Sequence, residues 1–222
     1  YIADVVGAGK AFTRILAIMG QQRLGLVKKP VLVVPPHCLR QVANDFYLLY
    51  PTANILVGDE YATAPARRKE FLSLATTENW DCIILTQTYF ETIEIPNRTK
   101  TEAIDEDINN ILNTMKLDGI EQRTLKQFEK KVERLKQDRK NLIWRGDDLI
   151  DLHTMGIDQI IADEAHAYRK LSFITSKRNM RGIDSKGSKR SYHMHLAIRA
   201  IREINPGRES IQASGTPISN TM

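Results

Sequence analysis

The sequence predicts an α/β domain built on a parallel sheet, and three observations predict it. Apolar runs of strand length recur at Val31–Val34, Ile55–Val57, Cys82–Leu85 and Ile160–Ala162. Stretches of helical period lie between them, an alternation that builds βαβ units rather than hairpins. Residues that stop helices stand at the joints, with Gly25 and Pro30 before the second strand and Pro51 after the helix that follows it.

Taken in order, the chain opens on a short strand, Tyr1–Ala3, and a helix from about Lys10 to Arg23. A strand over Val31–Val34 leads to a helix over Leu39–Tyr50. A strand over Ile55–Val57 leads to a helix near Ala64–Ala75, and Asp81–Leu85 closes this first run. The pattern then turns wholly helical. Ile104, Ile108, Ile111, Leu112 and Met115 share one helix face, and after Asp118-Gly119 the residues Leu125, Phe128, Val132 and Leu135 repeat at heptad-like spacing. The segment 101–143 reads as an inserted helical hairpin. Its first arm, 101–121, carries six acids and one Lys, and its second, 123–140, carries eight bases and three acids. Antiparallel packing is expected to pair these charges. The sheet pattern resumes at Asp158–Ala162, passes a basic Gly/Ser-rich stretch at Arg181–Ser191 and a helix near Tyr192–Glu203, and ends on a strand near Ser210–Ala213.

Composition narrows the class. The chain has 222 residues, 42% apolar and 27% charged, which suits one core and excludes wholesale disorder. No apolar run approaches the roughly 20 residues of a membrane helix, so no membrane partner is expected. Cys38 and Cys82 lack CxxC spacing, which excludes a zinc site or disulfide framework and fits a reducing, cytoplasmic setting. The chain opens at Tyr1 and closes at Met222 as an excised piece of a longer protein is expected to. Net charge is +5, yet residues 167–202 hold ten Lys/Arg against a single acid, Asp184, so the remainder is net negative. That concentration points to an anionic partner contacted by Lys186, Lys189 and Arg190, with a solvated basic loop as the alternative.

Three motifs carry chemistry. Gly7-Ala8-Gly9-Lys10-Ala11 follows a strand and opens a helix, a context in which backbone N–H groups wrap a phosphate and a Lys reaches its outer oxygens. Alone, the same residues also read as a plain strand-to-helix turn. The strand Ile160-Ile161-Ala162 delivers Asp163 and Glu164 at its carboxyl end, the side of an open α/β sheet where ligands bind. One acid in such a place can hold Mg²⁺ while its neighbour polarises a water. The third motif, Ser214-Gly215-Thr216-Pro217-Ile218-Ser219-Asn220, is again a polar loop after a strand. His193 and His195 have no further ligand types nearby in sequence, and no metal is assigned to them.

Together the three resemble motifs I, II and III of superfamily 2 helicases of the Swi/Snf-like branch, above all the bacterial and phage type often associated with adenine methyltransferase domains. Val33-Val34-Pro35-Pro36-His37 and Ile84-Leu85-Thr86-Gln87-Thr88-Tyr89 stand where motifs Ia and Ib belong. The resemblance covers nearly the whole chain. It implies a RecA-like P-loop three-layer α/β domain over 1–222, the first of two, with the 101–143 hairpin inserted. It also implies that Gly7, Ala8, Gly9, Lys10 and Ala11 bind ATP and that Asp163, in the DEAH box Asp163-Glu164-Ala165-His166, holds Mg²⁺. Glu164 would be the catalytic base, acting with Asp163 and Lys10. His166, Ser214 and Thr216 would couple nucleotide to DNA, and Pro36, His37 and Thr86 would touch the DNA backbone.

The implied function is the ATP-binding half of a DNA-dependent helicase or translocase of bacterial, phage or plasmid origin. Its partners would be duplex DNA, the missing second RecA-like domain and a methyltransferase domain of the parent protein; the chain alone is not expected to translocate. Two departures matter. Ala11 stands where the family has Thr and removes a direct Mg²⁺ ligand, and Val5 stands where an acid is common. They keep a second reading open, a catalytically silent DNA-binding or scaffolding module on the same fold.

Overall fold

The computed structural model describes residues 1–3, 9–116, 122–145, 150–173 and 187–215. Gly7, Ala8, Lys186 and Thr216 lie outside them. Among the described residues five strands form one sheet: β1 (Pro30–Val34), β2 (Ile55–Gly58), β3 (Cys82–Thr86), β4 (Gln159–Ala162) and β5 (Ser210–Gln212). All pairings are parallel, in the order β2-β3-β1-β4-β5. The helices are α1 (Lys10–Arg23), α2 (Leu39–Leu49), α3 (Arg68–Thr77), the single turn α4 (Gln87–Phe90), α5 (Asn97–Met115), α6 (Gln122–Arg145) and α7 (Lys189–Ile204).

A parallel sheet is covered on both faces, so its central strands read as unbroken apolar runs. All five residues of β1 are buried. Strand geometry then divides them. Leu32 and Val34, with Ile84 of β3 and Ile161 of β4, pack against Ile15 and Ile18 of α1 and against Leu39, Val42 and Phe46 of α2. Val31 and Val33, with Ile83, Leu85, Ile160 and Ala162, face Phe71 and Ala75 of α3 and Met194, Ala197, Ala200 and Ile201 of α7. Each fully buried Val, Leu or Ile side chain contributes about 1.5–3 kcal/mol, so these two layers dominate the stability of the domain. The three-layer RecA-like α/β arrangement read from the sequence is the one observed.

The register sets up the site. Val33 of β1 lies opposite both Leu85 and Ala162, and the chain crosses over β1 between β3 and β4. The carboxyl ends of β1 and β4 therefore flank the point where connections leave in opposite directions, the usual crevice of such sheets. Asp158, just before β4, accepts the N–H of Lys28 at 2.6 Å and of Lys29 at 2.9 Å, which fixes the entry of β1 against that of β4.

Three elements differ from the sequence reading. The opening strand is reduced to one parallel bridge, Ile2 with Ala213. The third helix begins at Arg68 rather than Ala64, because Pro65 disfavours helical backbone at the residue before it. The turn α4 escapes periodicity because four residues complete little more than one turn.

The hairpin is formed by α5 and α6 and has its own small core of Ile104, Ile108, Ile111 and Val132. Its charges pair less than their sums imply. Asp105 accepts from Arg139 at 2.7 and 3.0 Å across the hairpin, but Glu106 instead accepts from Arg199 of α7 at 2.5 and 2.6 Å. Lys126, Lys130 and Lys131 of α6 are exposed.

Candidate nucleotide site

The site is built from the start of α1 and the ends of β4 and β5. Gly9 caps α1 with φ of 79°, a left-handed conformation that costs glycine little and gives the helix an abrupt start. Among the described residues nothing lies within 4 Å of where a Cβ would stand on Gly9. Helix N-termini carry unpaired N–H groups and partial positive charge, and Lys10 is the first helical residue here. Residues present at this end of α1 therefore suit a phosphate group.

Asp163 follows β4 directly, and its N–H bonds to the carbonyl of Val33 at 2.8 Å, which extends the ladder one residue past the strand. Its residue is 8% exposed. The carboxylate accepts from Arg14 Nη1 at 2.6 Å and from the N–H of Glu164 at 2.9 Å, both through Oδ1. Gln87, the first residue of α4, donates its side-chain amide to the carbonyl of Asp163 at 3.2 Å. The end of β3 is thus tied to the same residue.

Glu164 has φ 51° and ψ 51°, the single positive φ of a non-glycine residue among those described. Left-handed backbone costs such a residue about 1–2 kcal/mol, and strain of this kind gathers where chemistry or binding fixes the chain. The conformation turns the chain sharply into a 3₁₀ turn, Ala165–Tyr168. His166 Nδ1 consequently lies 3.0 Å from a carboxylate oxygen of Glu164 and 3.3 Å from Ser214 Oγ. A proton on Nδ1 lets the ring donate to a carboxylate oxygen, which accepts. Below the ring, Ala165 N–H bonds to the carbonyl of Ala213, and Ser214 N–H to the carbonyl of Ile2.

Some of the residues expected for nucleotide chemistry lie together, while Gly7, Ala8 and Thr216 are outside the described residues. Lys10 stands one turn, about 6 Å along the axis, from the Arg14 that touches Asp163. Asp163, Glu164, His166 and Ser214 form one connected group.

Of the residues expected at DNA, Pro36 and His37 are exposed beyond the end of β1, and Thr86 ends the neighbouring β3, opposite Val34. The Thr86 hydroxyl caps α4 by accepting the N–H of Tyr89 at 3.2 Å, a structural duty that accounts for it locally. Lys189 is exposed in the first turn of α7, whereas Arg190 beside it is engaged by Glu91. His193 contacts the carbonyl of Ile93 at 2.8 Å and the edge of Phe90.

Two residues, and the surroundings of a third, escape the sequence reading. Arg14 announces itself as the lone charge in the run Ala11–Met19, although nothing local names its partner. Gln87 sits inside the motif Ib stretch but was not singled out. Cys38 lies close enough to Asp163 and Glu164 that, after burial, their negative charge is the next cause raising its thiol pKa.

A Mg²⁺ ion held in the expected way does not fit these residues. Ala11 offers no oxygen, the Oδ1 of Asp163 is occupied by Arg14, and Glu164 faces His166. Among the described residues no group of three or more His, Cys, Asp or Glu is arranged to hold a metal ion.

A family model described as a probable helicase domain matches residues 2–222. The SWI2/SNF2 ATPase core of Sulfolobus solfataricus, solved in complex with dsDNA, is similar over 99% of this chain, at 12% identity and a TM-score of 0.46. The chain spans 28% of the length of that protein. No curated protein matches the sequence.

Proposed function

Because the chain belongs to the probable helicase domain family, we propose that it is the nucleotide-binding half of a DNA-dependent ATPase of motor type, with ATP as nucleotide and duplex DNA as partner. The observation that carries this reading is the meeting of the start of α1 with the ends of β4 and β5, joined by the Arg14–Asp163, Glu164–His166 and His166–Ser214 contacts. Backbone N–H groups at the start of α1, with Lys10, hold the phosphates. Glu164, fixed by its strained backbone and by His166, orients the attacking water. His166 then links the state of that carboxylate to Ser214.

Pro36, His37 and Thr86 lie at the carboxyl ends of the neighbouring strands β1 and β3 and meet the DNA backbone there, and Lys189 adds a phosphate contact. Lys186, Gly7, Ala8 and Thr216 belong to the reading on sequence grounds. The second RecA-like domain, the methyltransferase association and the bacterial or phage origin are likewise proposals about the parent protein.

The test is ATP binding by the chain and phosphate release by the parent protein with and without duplex DNA. Lys10→Ala is expected to weaken ATP binding by about 2 kcal/mol or more, the scale of a charge-assisted contact. DNA-stimulated phosphate release is expected from the parent. DNA binding without any nucleotide binding would instead establish the second reading, a silent DNA-binding or scaffolding module, which Ala11 keeps open.

A further inference from the structure

We propose that Arg14 is a resident cation of the nucleotide site, occupying Asp163 in place of a divalent metal, so that the site takes up a nucleoside triphosphate without one. The nucleotide part of the proposal rests on the function proposed above; the place of Arg14 at Asp163 rests on the geometry alone.

Three observations carry it. The first is the pair itself. Arg14 Nη1 and Asp163 Oδ1 are 2.6 Å apart, with side chains 4% and 11% exposed. A carboxylate this buried requires a cation or a dense set of donors, since its desolvation costs several kcal/mol in the unpaired state. The guanidinium meets that need.

The second is the placing of Ala11 and Arg14 along α1. Ala11 brings no oxygen where a first-turn hydroxyl would help to hold a metal, and Arg14 follows three residues later on the same helix face. Together these two positions offer a positive charge and no oxygen ligand. Mg²⁺ prefers octahedral oxygen ligation, and a guanidinium bonded to one oxygen of the carboxylate repels the ion and occupies that oxygen.

The third is a surplus donor. Arg14 Nε is buried and has no hydrogen-bond partner among the described residues. Buried donors are almost always satisfied, so this N–H is suited to an acceptor that arrives with a ligand. A phosphate oxygen matches it in charge and geometry, because arginine can serve a carboxylate and a phosphate from different edges of one planar fork. Arg14 would then do two things a metal does here, neutralising Asp163 and attracting the anionic ligand.

The chain is titrated with a fluorescent ATP analogue, once in EDTA and once in excess Mg²⁺. Affinities that agree within about twofold are expected, and tightening by Mg²⁺ of about tenfold or more would overturn the proposal. Ala11→Thr alone retains the ion pair and is expected to remain indifferent to Mg²⁺. Arg14→Met combined with Ala11→Thr restores the oxygen and vacates the carboxylate, and is expected to become Mg²⁺-dependent.

Failure of the nucleotide reading would look different, as no saturable binding in either buffer. Mn²⁺ binding to the protein without nucleotide, followed by electron paramagnetic resonance, then decides the place of Arg14 by itself. Mn²⁺ bound by the double variant and not by the wild type supports it. A wild-type Mn²⁺ site abolished by Asp163→Asn overturns it. Should the double variant fail to fold, the wild-type and Asp163→Asn measurements still give the answer.

Discussion

Asp163 accepts from Arg14 and from the N–H of its neighbour through one oxygen, and its residue is 8% exposed. Truncating the arginine therefore leaves an anion buried without its cation. Arg14→Met is expected to cost about 3–5 kcal/mol, and adding Asp163→Asn should recover much of that loss. Urea denaturation of the four proteins of the cycle measures the coupling, and a value under about 0.5 kcal/mol would mean that the two residues act independently. Asp163 and Glu164 are legible in the sequence because an apolar run ending in two acids is a local pattern. Arg14 is not, because its partner lies 149 positions away and only the folded sheet brings them together. The φ of Glu164 is equally hidden, since nothing in the residue type calls for left-handed backbone.

At the scale of elements, α7 has a pH-sensitive seat. His193 packs on Phe90 beneath it, and burial is the largest cause lowering its pKa; burial followed by Arg199 does the same for His195. Both rings are thus favoured as neutral species in the folded chain. Above the ordinary histidine value of about 6.5 their effect on stability is nil. As pH falls through that value toward the lowered folded ones, the unfolded chain takes up protons that the folded chain resists, and stability is lost. Thermal denaturation is expected to show a midpoint that falls on mild acidification, with a flatter profile for His193→Gln combined with His195→Gln. An identical slope in the variant would place the sensitivity elsewhere.

The hairpin teaches the opposite lesson about reading elements. Its two helices are plain from the spacing of Ile104, Ile108 and Ile111 and of Phe128, Val132 and Leu135. Its ion pairs are not, because opposite net charge on two arms does not say which side chains face each other. Asp105 meets the other arm, while Glu106, one residue on and turned about 100° around the helix, meets α7.

For the whole molecule, alternation of strands and helices foretells a parallel sheet covered on both faces, but it is silent on strand order. The order β2-β3-β1-β4-β5 follows from the crossover past β1, and it places β5 between β4 and the opening residues. Ile2 is held there by two hydrogen bonds, its N–H to the carbonyl of Gln212 at 2.7 Å and its carbonyl to the N–H of Ser214 at 3.0 Å. Amide hydrogen exchange is expected to find the N–H groups of Ile2 and Ser214 opening together, and slowing together when ATP is added. Exchange at unrelated rates would separate them. In mechanical terms, those two bonds are a load path. A tug on the backbone at Ser214 is delivered to Ile2 without any side chain having to relay it, so the opening residues and the backbone just past β5 are two ends of one connection.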